Sequence, residues 1–171
     1  VPFNFHVDMS QSSTSGDINA WIEYENKKVF SVGLDATFVS GEDSPTTISG
    51  YIQLFDVKFN STVALAELET IMDALDEETS PYTTLDEIDA AINATIDAEV
   101  LVDGAKAADI ILDFTSTPGT FTFVIDETEG IYLDILFVYT DGTSESAVPY
   151  FASFIASIEQ FFGALDGYYG K

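Results

Sequence analysis

The sequence predicts an α+β domain: an antiparallel sheet of about eight strands, free to curve, covered by three helices. Three observations carry that reading. Apolar residues alternate with period two through the first third of the chain and again after residue 98. Between these stretches, two segments place apolar residues at helical spacing. The chain then closes on its most apolar helical stretch, opened by Pro149.

In order, Phe3, Phe5, Val7 and Met9 alternate with Asn4, His6 and Asp8, the pattern of a strand. Ser10 to Asp17 reads as a Ser/Gly-rich connection. Ile22 to Glu25 then leads through Asn26-Lys27-Lys28 into a long strand whose inward face is Phe30, Val32, Leu34, Ala36 and Phe38. A turn at 41–45 precedes one strand from about Thr47 to Phe59. Leu65, Leu68, Met72 and Leu75 mark a first helix. Thr84 and Glu87 have capping-box spacing for a second, with Leu85, Ile88, Ala91, Ile92 and Ile96 as its stripe. Four strands follow, near 98–103, 107–116, 120–126 and 131–140, with Asp103-Gly104 as a hairpin signal. In the closing helix Pro149 suits the first turn. Phe151, Phe154, Ile155, Ile158, Phe162 and Leu165 are expected on one face, with Tyr150 and Phe161 beside them.

A shift of 78 residues aligns Ile22 with Val100, Lys28 with Lys106, Leu34 with Leu112 and Asp35 with Asp113. The same shift aligns Gly41 with Gly119, Asp56 with Asp134 and Phe59 with Phe137. The 171 residues suit a single domain, and the echo would divide it into pseudo-repeat halves 1–78 and 79–171.

Charge excludes more than it identifies. The chain carries 30 acidic residues against five lysines, with no arginine and one histidine, for a net charge of −25. Such a surface repels nucleic acid, whose binding rests on neutralising phosphates. It also repels anionic leaflets, so direct membrane docking by this domain is not expected. Without cysteine there is no disulfide, thiol nucleophile or thiolate metal site. No apolar run is expected to reach the ~18 residues that span a bilayer. The chain starts Val1-Pro2-Phe3, so any signal segment is expected to have been removed or to lie upstream. Fourteen Phe and eight Tyr show that the acidity coats a filled core rather than a disordered tail. Abundant Ile and Phe favour a secreted or cell-surface protein over a salt-adapted one.

Candidate chemistry is sparse. His6 is the sole imidazole and falls on the polar side of the first strand, which reads as a surface histidine. Asp35 with Asp113, and Asp56 with Asp134, are the carboxylate pairs the echo singles out. Paired acids could serve glycoside hydrolysis if they came within about 5 to 9 Å. The runs 126–130 and 141–145 are oxygen-rich, as calcium requires, but lack its loop spacing and read as hairpin turns. No cofactor is expected. Asn60-Ser61-Thr62 and Asn93-Ala94-Thr95 match the glycosylation sequon and are assigned no function. The closing helix has an apolar arc broad enough to need cover on most sides.

The run Leu133 to Ser144, followed by Pro149-Tyr150-Phe151 and an apolar helix, resembles the end of uncharacterised extracytoplasmic lipoproteins of Bacteroidota type. The strand–turn–strand segments around Asn26-Lys27-Lys28 and Asp103-Gly104-Ala105-Lys106 share that resemblance. It implies surface anchoring through an upstream lipid-modified cysteine, and carries no catalytic residues with it. The function expected is a non-enzymatic, extracytoplasmic binding module for an apolar small molecule or a surface protein partner segment. Phe151, Phe154, Ile158 and Phe162 would line its apolar space. The alternatives are a structural or adhesive acidic surface protein and, last, a carboxylate-dependent hydrolase.

Overall fold

The computed structural model describes residues 2–170 apart from Glu127 and Glu129. The strands are β1 (Asn4–Gln11), β2 (Ser15–Tyr24), β3 (Lys27–Phe38), β4 (Pro45–Leu54) and β5 (Val57–Ala64). Helices α1 (Leu65–Leu75) and α2 (Leu85–Ala94) follow. Then come β6 (Ile96–Val102), β7 (Ala105–Thr115), β8 (Phe123–Asp126), β9 (Ile131–Tyr139), β10 (Ser144–Ser146) and α3 (Val148–Tyr169). The strands form one open antiparallel sheet in the order β1-β2-β3-β4-β5-β6-β7-β9-β10, with β8 also paired to β9. The chain is therefore α+β, as its patterning predicts. Short β8 and β10 share the outer margin of β9, whereas the opposite margin is the exposed eight-residue β1.

Several local expectations change, and Ile96, expected on the stripe of the second helix, opens β6 instead. The stretch Thr47–Phe59 is not one strand but the β4–β5 hairpin, because Phe55 takes a positive φ of 52° and reverses the chain. The Ser/Gly-rich segment is mostly strand, since Ser10 and Gln11 pair with Asp17 and Gly16. Asp141-Gly142 is followed by a further strand, β10.

The likeness between positions 78 residues apart extends to the geometry of two hairpins. Glu25 and Asn26 (φ 50° and 62°) turn β2 into β3, and Asp103 and Gly104 (φ 52° and 77°) turn β6 into β7. Positive φ at both central residues matches the right-handed twist of the strands. The register shifts in both ladders, at Ile22/Glu23 and at Val100/Leu101, which are also related by the 78-residue offset. Beyond the hairpins it stops: β3 pairs with β4, but β7 pairs with β9.

Cross-strand partners share a face of a sheet. Phe30 and Leu54 are partners, as are Ile52 and Phe59, Phe59 and Val100, and Ile110 and Phe137, which defines an apolar face. The other face carries Asp17, Asp35, Ser49, Thr62 and Asp97 in one row across β2 to β6. Buried Val100, Ala108, Phe137 and Ala147 centre the core, with Val57, Phe59, Ile110, Ile135 and Phe151 packed on them. At the β1 end the apolar face is bare: Phe5, Val7 and Met9 are 60%, 67% and 69% exposed. Leu34, expected inward, is 53% exposed because α3 does not cover that end of β3.

Helix α3 lies across the strands. Its rings meet Phe137 of β9 through Phe151, Phe59 of β5 through Phe154, Phe30 of β3 through Phe161, and Phe5 of β1 through Tyr169. At 1.5 Å per residue it is about 33 Å long. The seven strand spacings from β9 to β1 come to about 34 Å. The helix therefore spans the sheet, and the Tyr169 hydroxyl pins its end by bonding the Phe3 N–H and carbonyl, each at 3.1 Å. By length and composition α3 is apolar enough to cross a membrane, with mean hydropathy 1.2 over its best window. The expected limit on apolar runs is thus exceeded, because Ala, Gly and Ser dilute Glu159 and Asp166 without breaking the helix.

Helix α1 packs on β4 and β5, and α2 on β6 and β7. The capping box is present: Glu87 N–H bonds Thr84 Oγ1 at 3.3 Å, and Thr84 N–H bonds Glu87 Oε2 at 3.2 Å. Asn93 of the second sequon is committed to the fold, its amide bonded to the backbone of Leu112.

On the polar face, Gly33 lies beneath the ring of Tyr51, whose hydroxyl donates to Asn19 Oδ1 at 3.2 Å. A Cβ at Gly33 would fall 2.2 Å from Tyr51 Cε1 and 2.5 Å from Asn19 Oδ1. Gly33→Ala is expected to lower stability by about 1 kcal/mol, since Tyr51 can swing outward at the loss of its bond. Urea unfolding checks this, and the same loss in Gly33→Ala as in Gly33→Ala/Tyr51→Ala would remove the steric explanation.

Candidate functional site

Helix α3 stands on the apolar face as a ridge, held by Phe151, Phe154, Ile158 and Phe161, all half-buried, and by buried Leu165. Ile155 points away and is 56% exposed, so the contact face is rotated from the one expected, with Phe161 in its place. A ridge on a wider sheet leaves a trough along each flank.

On the hairpin-tip flank, a trough of about 340 Å³ is lined by Val57, Phe59, Val100, Val102, Phe137 and Phe154, with Ala107, Tyr139, Tyr150, Ser153 and Ser157 completing it. It adjoins a second hollow of about 510 Å³ that shares Val57, Phe154 and Ser157 and reaches Phe161. On the opposite flank, a hollow of about 460 Å³ lies between Gly50, Ile52, Ala98, Ile110, Ile135 and Phe151. Gly50, Ser61 and Ala98 are neighbours across β4, β5 and β6, and their small size lets the sheet surface dip there.

The residues expected to contact a ligand therefore divide. Phe154 lines the hairpin-tip trough and Phe151 the opposite hollow. Ile158 packs inward and lines neither, and Phe162 packs edge-on against Phe30 at 5.0 Å. Val57, Val100, Val102 and Tyr139, absent from the sequence-derived set, supply most of the trough wall. Their alternation in β5, β6 and β9 marks them as inward, but not as neighbours of a helix flank.

The polar face holds a hollow of about 440 Å³ between Asp17, Asn19, Asp35, Tyr51, Asn60 and Glu99. Its groups largely satisfy one another. Asn19 Nδ2 donates to Asp17 at 3.3 Å, Asn60 Nδ2 to Glu99 at 3.2 Å, and Ser49 and Thr62 bond at 2.9 Å.

The sheet order separates the carboxylate pairs. Strands β4, β5 and β6 stand between Asp35 on β3 and Asp113 on β7. Four strand spacings amount to about 19 Å, too far for paired-acid hydrolysis. Asp56 sits in the β4–β5 turn and Asp134 within β9, with β5, β6 and β7 between them. Asp113 instead faces Asp134 across the β7–β9 ladder and lies beside Asp89 of α2. Partial burial, with the nearby Asp113 and Asp86 carboxylates, pushes the Asp89 carboxyl up to about 6 against the pull of its Phe114 N–H bond.

His6 stacks on Trp21 at 4.8 Å, with Nε2 3.3 Å from Glu23 Oε2, on the outermost strand pair. In the 141–145 run, Asp141 Oδ1 accepts from Thr143 N and Oγ1 at 2.9 and 2.6 Å, a turn that engages one carboxylate oxygen. The 126–130 run includes Glu127 and Glu129, which lie outside the described residues. Among the described residues, no group of three or more His, Cys, Asp or Glu is arranged to hold a metal ion.

Comparison with protein-family models, curated proteins and solved structures finds no match to this chain.

Proposed function

We propose that this chain is a non-enzymatic binding module that works outside the cytoplasm and receives an apolar chain, from a small molecule or a partner segment, beside α3. One observation supports the reading above others: an open trough of about 340 Å³ whose walls are mostly Val, Phe and Ala side chains, joined by two Tyr and two Ser. Ligand sites are concavities of about 300 to 1,000 Å³, mostly apolar, with few polar groups. Water held against such walls gains little, so an alkyl chain that displaces it is favoured by about 25 cal/mol per Å² of apolar surface covered. The net charge of −25 keeps a protein with so much exposed apolar surface dispersed.

Titration with N-phenyl-1-naphthylamine, a neutral apolar dye, tests the reading. Saturable enhancement is expected, and Phe154→Asp should weaken it by about tenfold or more. Because Phe154 also packs on Phe59 at 4.7 Å, Val102→Asp is the companion variant. Val102 is 40% exposed on the trough wall, so its replacement spares the core while placing a charge in the ligand's path. Wild-type fluorescence that never saturates, or dye affinity unchanged in Val102→Asp, would end the proposal.

A further inference from the structure

The trough is apolar along its walls but not at its end. Strand β10 pairs Glu145 with Phe137, which sets this one carboxylate on the apolar face of the sheet. Tyr139, on β9, donates its hydroxyl to Glu145 Oε1 at 2.5 Å. Tyr150, in the first turn of α3, donates to the same oxygen at 3.0 Å. Both phenols line the trough, and the Phe137 ring lies 5.3 Å from Tyr150 and 6.4 Å from Tyr139. Three aromatic rings and a carboxylate thus meet where the apolar walls finish.

The bonds to Glu145 hold both phenols protonated, raising them above the ordinary tyrosine value, so they remain neutral donors. Oxygen Oε1 serves both tyrosines, which leaves Oε2 for a further partner. Among the described residues the ion pairs involve Glu23, Glu99 and Asp109, and none neutralises Glu145. An ammonium group fits this end on two grounds. Ring faces attract cations within about 6 Å of the ring centre, and the carboxylate supplies the opposing charge. A sulfate, phosphate or carboxylate head would instead meet Glu145 and the protein's acidic field.

We propose that the trough selects amphiphiles with a cationic, ammonium-type head, the alkyl chain lying along Val57, Val100, Val102 and Phe154 and the head resting among Tyr139, Tyr150 and Glu145. This rests on the apolar-ligand reading above and adds the class of ligand.

Calorimetric titration with dodecyltrimethylammonium, dodecyl maltoside and dodecyl sulfate, each below its micelle concentration, tests it. Salt at about 0.3 M reduces the general attraction of an acidic protein for any cation. The cationic amphiphile should bind about tenfold or more tightly than the maltoside, and the sulfate weakest. Glu145→Gln should bring the cationic and neutral amphiphiles to parity. Glu42→Gln, an equal change of charge in the β3–β4 connection, should leave the preference intact. Tyr150→Leu, which keeps the carboxylate and removes a ring, should lower the preference without erasing it. Equal wild-type affinities, a preference kept in Glu145→Gln, or an equal loss in Glu42→Gln would overturn the cation-selective site. If none of the three amphiphiles binds, the apolar-ligand reading itself fails.

Discussion

Asn93→Ala is expected to lower the unfolding free energy by about 2 to 4 kcal/mol, through two orphaned backbone groups. The reason lies in how α2 completes the sheet. Strands β6 and β7 pair only as far as Glu99 and Asp109, and beyond that point β7 has no ladder partner in β6, which runs on to Ile96 paired with β5. The amide of Asn93 takes the place of a strand. Its Nδ2 donates to the Leu112 carbonyl at 2.6 Å, and its Oδ1 accepts from the Leu112 N–H at 2.9 Å. Asp89, one turn earlier, accepts from the Phe114 N–H at 2.6 Å. Alanine leaves both Leu112 groups without a partner in a partly buried seam, at about 1 to 2 kcal/mol for each, the lower part of the range for a buried unpaired group. Asn93→Asp should do no better, because it returns the acceptor but adds another carboxylate to the group already formed by Asp89, Asp113 and Asp86. Urea unfolding should show a lower midpoint with an unchanged slope. A loss below about 0.5 kcal/mol would mean that water replaces the amide.

That seam also shows where the sequence is mute. Helical spacing and the Thr84/Glu87 box disclose α2, and period-two alternation discloses β7. Nothing local says that Asn93 will substitute for a strand, since the partner is 19 residues away and the need arises only where the β6–β7 ladder ends. The same divide runs through the chain. Asp103-Gly104 announces its turn by composition, whereas Phe55-Asp56 does not. Phe55 is held at positive φ by distant contacts: its N–H bonds the Val29 carbonyl at 2.9 Å, and its ring meets Phe161 at 5.9 Å.

Amphipathicity places α3 on the sheet but cannot aim it, because its apolar arc is too broad. Phe161 rather than Ile155 faces inward because Phe30 of β3 and Phe55 of the β4–β5 turn stand beneath it, well before it in sequence. The candidate site inherits this limit. Phe151 and Phe154 are legible as apolar helix residues, but the trough needs strand order to bring Val57, Val100 and Phe137 alongside. Glu145 is less legible still, since only the register of β10 on β9 turns it toward the apolar face. Equivalent positions in the two halves, such as Asp35 and Asp113, are not neighbours, because sheet order rather than sequence offset decides adjacency.

Asp89→Asn is expected to stabilise the protein at pH 7 and to have almost no effect at pH 4. In the folded chain the Asp89 carboxyl sits at about 6 against an ordinary value of 3.8, raised first by partial burial and then by Asp113 and Asp86. Folding thus favours the protonated acid. Its contribution is complete below about pH 3.8 and is lost as pH rises through about 6. Asparagine imitates the protonated form at every pH: its oxygen can still accept from Phe114 N–H, and its amide can donate toward Asp113. The gain at pH 7 should be about 1 to 2 kcal/mol, below the full equivalent of the shift because Asp89 is partly exposed and screened by solvent. Glu87 and Asp141 act in the opposite sense. Hydrogen bonds from Thr83 and Thr84, and from Thr143, hold them below their ordinary values of 4.5 and 3.8, so their stabilisation is lost only in more acid solution. Between pH 5 and 7 the Asp89 dependence is therefore unmasked by either. Urea midpoints of the two proteins, measured at unit intervals from pH 4 to 7, should converge toward acid. A difference that stays constant across the range would show that asparagine stabilises by packing rather than by removing a charge beside Asp113.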